Sequence, residues 1–174
     1  MIWFLRHADG TGQAPEAPLS EPGRRAADGI VARLERLGIT RIVSSPYARA
    51  RETVAPFAAA AGLSIAEDAR LREREHGAVP QGGWDAEAEA LFADFEAQPY
   101  GGESLADVSR RWHAAIAEVA ASGERPLIAT HGLWLSVVLS AFGRELSIPI
   151  WRAMPRPALF VVEDGRARQL ELGP

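Results

Sequence analysis

The sequence predicts an α/β protein in which helices cover both faces of a mostly parallel, mixed β-sheet, as a three-layer α/β/α sandwich. Three observations predict it. Short apolar runs alternate with segments of helical periodicity, two of the runs end in histidine, and Asp164-Gly165 separates two strand-like runs near the end. Alternating strands and helices favour parallel pairing, whereas a two-residue Asp-Gly turn is typical of an antiparallel hairpin.

The candidate strands are short, apolar and bounded by polar or turn residues, which is typical of strands buried in a parallel sheet. A hairpin is predicted from a strand at 159–162 and an alternating segment that runs through Leu172. The other predicted strands are Ile2 to Leu5, Arg41 to Ser44, Leu63 to Ala66 and Pro126 to Thr130.

Helices are predicted where apolar residues recur every three or four positions behind a capping residue or a proline. We expect them from Ser20 to Leu37, from Pro46 to Ala61, over 84–97, from Ser104 to Val119 and from Leu133 to Phe142. The whole chain, 1–174, is predicted to be a single domain, with residues 74–100 as a small rim or lid beside a site.

Composition narrows the chemistry that this chain can perform. The 174 residues are 47% hydrophobic and 24% charged, which is ordinary for one globular domain. Cysteine and lysine are both absent, so thiolate catalysis, disulfides, Schiff bases and a P-loop lysine are excluded. Any bound phosphate must therefore be held by guanidinium, imidazole or backbone amide groups.

Charge and hydropathy bear on partners and location. A formal net charge of −4 argues against nucleic-acid binding, and no apolar run is long enough for a membrane span. No basic segment followed by an apolar stretch begins the chain, so we expect a cytoplasmic protein. The four histidines lack metal-ligand spacing, so neither a metal nor a cofactor is expected. A homodimer is compatible with the sequence.

Two predicted strands end in histidine, at His7 and His131, and a third ends before Ser45-Pro46, with Arg49 just inside the next helix. A single histidine at a strand end is more often a hydrogen-bonded structural residue than a functional one. The carboxyl ends of parallel strands meet at one edge of a sheet, however, and this edge is where open α/β sheets bind ligands. We therefore expect these side chains to converge.

An ordered set of motifs resembles the histidine phosphatase superfamily, also called the phosphoglycerate mutase-like family. The first looks like the family's Arg-His signature, the second like its Ser-Pro-x-x-Arg-Ala-x-x-Thr segment and the third like the stretch that carries its acid. A Gly-Glu-Ser helix start and the second histidine follow. In this chain they are residues 4–9, 45–53, 71–77, 102–104 and 130–132.

The resemblance implies a phosphoglycerate mutase-like fold and a metal-independent mechanism in which a histidine becomes phosphorylated and water then releases phosphate. It implies catalytic roles for His7 as nucleophile, Glu73 as proton donor and acceptor, and His131 as a second contact to the transferring group. The phosphate-binding residues would be Arg6, Arg49, Gln13 and Gly132, with Asp9 as a reserve acid. Guanidinium suits this task because it binds phosphate oxygens in bidentate fashion.

The chain departs from the family pattern near the phosphate. Ala8-Asp9-Gly10 replaces the common Gly-Glu-Thr, Gln13 stands where asparagine is frequent, and Leu133-Trp134 replaces a glycine and an arginine. Because of these changes, the motifs do not identify the substrate. They also do not determine whether His76 or Trp84 contacts it.

We predict a phosphatase that hydrolyses a small phosphorylated metabolite. The segment between Glu73 and Glu103 is too short to enclose a bisphosphate fully, and a mutase must keep water from its phosphohistidine. Three alternatives stay open: a protein phosphohistidine phosphatase, a phosphoglycerate mutase-type phosphotransferase and a non-catalytic module that binds a phospholigand.

Overall fold

The computed structural model describes residues 1–172, in which six strands form one mixed sheet. The strands are β1 (Ile2–Arg6), β2 (Arg41–Ser44), β3 (Ile65–Glu67), β4 (Pro126–Thr130), β5 (Ala158–Glu163) and β6 (Arg166–Leu170). Their order across the sheet is β3-β2-β4-β1-β5-β6.

Strands β1 to β4 are parallel to one another, whereas β5 is antiparallel to both of its neighbours, β1 and β6. Strand β1 lies between β4, with Leu5 opposite Ala129, and the antiparallel β5, where Arg6 is opposite Ala158. Strand β2 pairs in parallel with both β3 and β4, and β5 with β6 forms the predicted hairpin. The α/β fold with a mostly parallel sheet is therefore confirmed.

Over residues 1–172, seven α-helices connect or flank the strands, together with single 3-10 turns at 69–71 and 99–101. In the part of the chain that the structure describes, none of these helices has the length and apolar character needed to cross a membrane. The helices are α1 (Glu21–Gly29), α2 (Val31–Glu35), α3 (Ala48–Ala61), α4 (Trp84–Ala93), α5 (Leu105–Ala121), α6 (Gly132–Ala141) and α7 (Ile148–Ala153).

The core has two parts, one on each face of the sheet. Phe4 of β1 packs with residues of α4, α5 and α6, whereas its neighbours Trp3 and Leu5 pack with residues of α2 and α3. Successive side chains of a strand point to opposite faces, so a wholly apolar strand serves both layers. This is the predicted three-layer arrangement.

Several boundaries differ from the predicted ones. The single helix expected from Ser20 to Leu37 is divided at Ile30, which serves as the C-cap of α1 and the N-cap of α2. The helix expected from Pro46 begins at Ala48, because Tyr47 has an extended backbone. Helix α4 ends at Ala93 rather than at residue 97, and α7 was not predicted because its six residues are too few for a periodic signal.

Helix α5 starts with a reciprocal cap. The Ser104 hydroxyl accepts a hydrogen bond from the Asp107 backbone N–H at 3.0 Å, and the Asp107 carboxylate accepts one from the Ser104 N–H at 3.1 Å. These bonds satisfy two backbone donors that a helix start leaves free. The predicted cap at Ser104 is therefore confirmed, and it anchors the helix that braces the site described below.

We predict that Ser104→Ala lowers the free energy of unfolding by about 0.5–2 kcal/mol, because the cap of α5 is lost. Urea denaturation measures the change. Ser109→Ala, in the interior of the same helix, is the matched control and should cost less. Equal losses in the two variants would show that the cap contributes nothing of its own.

Candidate active site

His7 directly follows β1 and is largely buried. Its Nδ1 lies 2.6 Å from the carbonyl oxygen of Ala8, which can only accept, so Nδ1 carries the proton and Nε2 carries a lone pair. Burial, followed by the like charges of Arg49 and Arg6, lowers the pKa of His7 to about 3. The imidazole is therefore neutral near pH 7, with a nucleophilic Nε2.

Arg49 lies in the first turn of α3 and is 2% exposed. Its Nε donates to His7 Nε2 at 3.2 Å, and its Nη1 donates to the carbonyl oxygens of Gln13 at 3.2 Å and Ala14 at 3.0 Å. The guanidinium thus joins His7 to the loop that follows β1. Gln13 itself is exposed and contributes its backbone oxygen to this contact.

Arg6, the last residue of β1, is 4% exposed. Its Nη1 donates to the carbonyl oxygen of Met154, whereas its buried Nε has no partner within residues 1–172. Burial and the charge of Arg156 lower its pKa to about 10, so it remains a cation. The guanidinium lies against Gly132, where an added Cβ would be 2.7 Å from Nη2. A side chain at residue 132 would therefore force the Arg6 guanidinium to shift.

His131 follows β4 and is fully buried. Its ring centroid lies 5.1 Å from that of His7, and its Nε2 lies 2.7 Å from the Ser45 hydroxyl. Burial, then the charges of His7 and Arg49, holds the pKa of His131 well below its usual range, so the ring is neutral in this structure. A protonated His131 would need a nearby anion to stabilise it.

The carboxylate of Glu73 caps the start of α6. Its Oε2 accepts from the Leu133 N–H at 3.1 Å, and its Oε1 accepts from the N–H groups of Trp134 and Arg74, both at 3.0 Å. An anion is favoured at a helix N-terminus by the free N–H groups and the helix dipole. These contacts fix Glu73 beside Gly132 and so beside Arg6.

Arg111 of α5 braces the segment that carries Glu73. Its Nε and Nη2 donate to the two carboxylate oxygens of Glu103 at 2.8 and 2.9 Å. Its Nη1 donates to the carbonyl oxygens of Arg70 at 2.6 Å and Arg72 at 2.7 Å. Arg111 was not predicted as a site residue, although it lies between Val108 and Ala115 on the apolar stripe of α5. A charge on such a stripe is the signal that could have found it.

A cavity of about 320 Å³ opens at the carboxyl edge of the parallel strands. His131 does not line it but lies directly behind His7. The Asp9 carboxylate lies at the cavity wall and accepts from the Ser20 hydroxyl at 2.9 Å. The predicted site residues that line this cavity are Arg6, His7, Asp9, Gln13, Arg49, Glu73 and Gly132, and His76 and Trp84 line it too.

The cavity also contains Arg156, which sequence reasoning missed. This half-exposed guanidinium lies 3.8 Å from the Asp9 carboxylate and adds positive charge near Arg6 and His7. Its position follows from strand direction: β5 runs antiparallel to β1, so the residues before β5 lie where β1 ends. Only the pairing of β5 with β1 reveals this, and the sequence does not show that pairing.

We predict that stability falls as the pH drops from about 6.5, the ordinary pKa of histidine, toward about 3, the pKa of His7 in the folded chain. Between these values the unfolded chain binds a proton that folded His7 rejects. His7→Phe should make the free energy of unfolding less dependent on pH, with His131 supplying the remaining slope. His113→Phe, on the exposed face of α5, should keep the original slope. An unchanged slope in His7→Phe would contradict the depressed pKa.

Known proteins are similar to this chain in sequence and in fold. A protein of Salmonella paratyphi A named "Probable phosphoglycerate mutase GpmB" is 30% identical over 167 residues, which cover 86% of this chain and 76% of that protein. The structure of Bacillus stearothermophilus YhfR superposes with a TM-score of 0.77 at 25% identity, covering 99% of this chain and 96% of that one.

A mycobacterial glucosyl-3-phosphoglycerate phosphatase in complex with inorganic phosphate superposes with a TM-score of 0.75 at 26% identity, covering 98% of this chain and 95% of that one. Residues 2–164 match the family model of the histidine phosphatase superfamily, branch 1. That match spans nearly all of the chain, and it confirms the resemblance of the motifs. The chain belongs to the histidine phosphatase superfamily.

Proposed function

We propose that the protein is a metal-independent phosphatase that hydrolyses a small phosphorylated metabolite through a phosphohistidine at His7. The observation that carries this proposal is the contact between Arg49 Nε and His7 Nε2, at 3.2 Å, in a cavity that Arg6 also lines. It sets a neutral nucleophile beside two guanidinium groups. A phosphate oxygen of a bound ester would take over the hydrogen bond from Arg49 Nε, which frees the lone pair of His7 Nε2 to attack phosphorus.

A buried polar atom without a partner supports phosphate binding. Arg6 Nε is one of four buried side-chain atoms that lack a hydrogen-bond partner within residues 1–172, and Arg6 lines the cavity. Buried polar atoms are seldom left unpaired, and a phosphate oxygen would supply the acceptor. Each charge-assisted hydrogen bond from an arginine would contribute about 1.5–3 kcal/mol.

The reaction would proceed in two displacements. His7 Nε2 attacks phosphorus, and a P–N bond forms as the P–O bond to the alcohol breaks, while Glu73, which enters this step as the carboxylic acid, gives its proton to the leaving oxygen. Water then attacks phosphorus and breaks the P–N bond, and the Glu73 carboxylate takes the water proton. Covalent catalysis divides one difficult displacement into two easier ones. The backbone contacts of Glu73 with α6 keep the carboxyl group in reach of both.

Hydrolysis is favoured over mutase chemistry by the exposure of the cavity rim. Trp84 is 44% exposed, so water has access beside the leaving group. The phosphatases among the similar structures also favour hydrolysis. The name of the Salmonella relative favours phosphotransfer, which is therefore the second candidate. Assay of 3-phosphoglycerate for phosphate release against isomer formation distinguishes the two.

The other predicted roles have weaker support. Glu73 and the helix that begins after Glu103 are features that protein phosphohistidine phosphatases largely lack, and their presence here disfavours that alternative. A complete set of phosphate donors around a neutral nucleophile disfavours a non-catalytic binding module. The cytoplasmic location, the homodimer and the rim or lid role of residues 74–100 stay predictions.

We expect His7→Ala to lower the turnover of p-nitrophenyl phosphate by at least about 10⁴-fold, because the nucleophile is removed. Rapid quenching of the native protein with substrate, followed by mass spectrometry, should locate phosphate on His7. His113→Ala is the control and should retain full activity. Substantial turnover by the His7 variant, or a requirement for a metal that EDTA removes, would overturn the mechanism.

Glu73→Gln should affect substrates unequally. Alkyl phosphates need a proton on the leaving oxygen, so their kcat/KM should fall by about 10²–10⁴, whereas p-nitrophenyl phosphate should lose far less. Asp9→Asn provides the comparison, since Asp9 is the reserve acid in the same cavity. If Glu73→Gln slows both substrate types equally and Asp9→Asn shows the selective loss, the acid is Asp9.

A further inference from the structure

A buried ion pair forms part of the cavity wall that α4 provides, since Glu87 is one of the lining residues. Glu87 of α4 is 2% exposed and Arg74 is 1% exposed, and Glu87 Oε1 lies 2.7 Å from Arg74 Nη1. The other carboxylate oxygen, Oε2, lies 2.9 Å from His76 Nδ1. Neither Glu87 nor Arg74 has a part in the proposed phosphate chemistry.

The pair fixes the tautomer of His76. A carboxylate only accepts hydrogen bonds, so the proton lies on His76 Nδ1 and points to Glu87. Arg74 Nη1 is also 3.1 Å from Nδ1, but two donors do not bond each other, and the arginine proton goes to Glu87 instead. Among residues 1–172, the hydrogen bonds of this ring involve Nδ1 only, which leaves Nε2 as an acceptor in the neutral ring.

His76 is positioned to use that acceptor, because its side chain is 26% exposed and lines the same cavity as His7. The ring is held on two sides. Glu87 binds one edge, and the indole of Trp84 packs against the ring at 4.9 Å between centroids and an angle of 89°. Such support reduces the rotational freedom that a bound group would otherwise have to remove.

The neighbouring wall is apolar. Trp84 is 44% exposed although it is a large aromatic residue, and it stands beside Leu91, Leu133 and Trp151 in the lining. Among residues 1–172, no arginine belongs to this part of the lining, and the charge of the neighbouring Arg74 is paired with Glu87, which leaves no cation on this wall for a second phosphate or carboxylate. These surfaces suit an uncharged ring that carries a hydroxyl group.

We propose that His76, oriented by Glu87, binds a hydroxyl group of the alcohol portion of the phosphate ester, while an apolar ring of that alcohol packs on Trp84. The substrate class is thus the monophosphate of an uncharged, hydroxylated ring compound. This inference rests on the proposed function, because it places the ester's phosphate at Arg6, His7 and Arg49. His76 acts as a specificity residue and takes no part in phosphoryl transfer.

Ring phosphates that differ by one group test the proposal. The set is cyclohexyl phosphate, its 2-, 3- and 4-hydroxy derivatives and a 4-carboxy derivative, compared by kcat/KM. The native protein should prefer at least one hydroxylated ester over cyclohexyl phosphate by about three- to tenfold, the range of one hydrogen bond. The carboxylated ester should be the poorest substrate.

His76→Phe keeps an aromatic ring against Trp84 but removes the acceptor, so the preference for the hydroxylated ester should disappear. The ratio of two kcat/KM values cancels any general loss of folded protein. His76→Gln, which restores an acceptor, should recover part of the preference. His113→Phe is the matched control, since His113 lies outside the cavity, and should keep the native ratio.

The outcomes separate this inference from the proposed function. Hydrolysis of p-nitrophenyl phosphate by the native protein without preference for any hydroxylated ester would overturn the inference alone. So would a preference that persists in His76→Phe, or a native preference for the carboxylated ester. A native protein that hydrolyses none of these esters would overturn both.

Discussion

The site depends on two arginine side chains that the fold holds out of water. Burying a cation is costly unless other groups replace its hydration. The protein offsets the cost with backbone oxygens, those of Gln13 and Ala14 for Arg49 and that of Met154 for Arg6. The nearby charge of Glu73 opposes the lowering of the pKa of both arginines. The result is a fixed positive field beside a neutral imidazole.

This field exists because several chain segments end at one sheet edge. His7 and His131 lie at the ends of β1 and β4, and Arg49 lies at the start of the helix that follows β2. Strand β5 begins beside Arg6. The Glu73 segment is then fastened from two sides, by the first N–H groups of α6 and by Arg111 of α5. A substitution at Arg111 would therefore act through the position of Glu73, without any contact with substrate.

The sequence was sufficient for those parts of the site that follow from strand direction. His7, His131 and Arg49 could be grouped because the ends of parallel strands converge, and the order of the motifs identified the family. Contacts that depend on three-dimensional register were not predictable. Arg156 lies at the cavity because it precedes β5, which pairs antiparallel with β1. The capping of α6 by Glu73 joins segments that are 60 residues apart.

Local propensity also failed where tertiary packing decided the outcome. The apolar periodicity of Ile30, Val31 and Leu34 is satisfied, since all three pack in the same core cluster, yet the helix is interrupted at Ile30. Periodicity indicates which side chains are buried and does not indicate an interruption of the helix between them.

The distribution of charge within the cavity argues for one phosphate rather than two. The guanidiniums beside His7 bond to neutral carbonyl oxygens and form no ion pair within residues 1–172, whereas Arg74 has its charge matched by the buried carboxylate of Glu87. A bisphosphate would need a second cationic wall, and the α4 side presents indole and leucine instead.

The half-exposed Arg156 lies near Asp9 and adds its charge on the side of Arg6 and His7. Because the positive charge is concentrated at His7, the arrangement that would bind a monoester in the proposed function disfavours the doubly phosphorylated intermediate of a mutase.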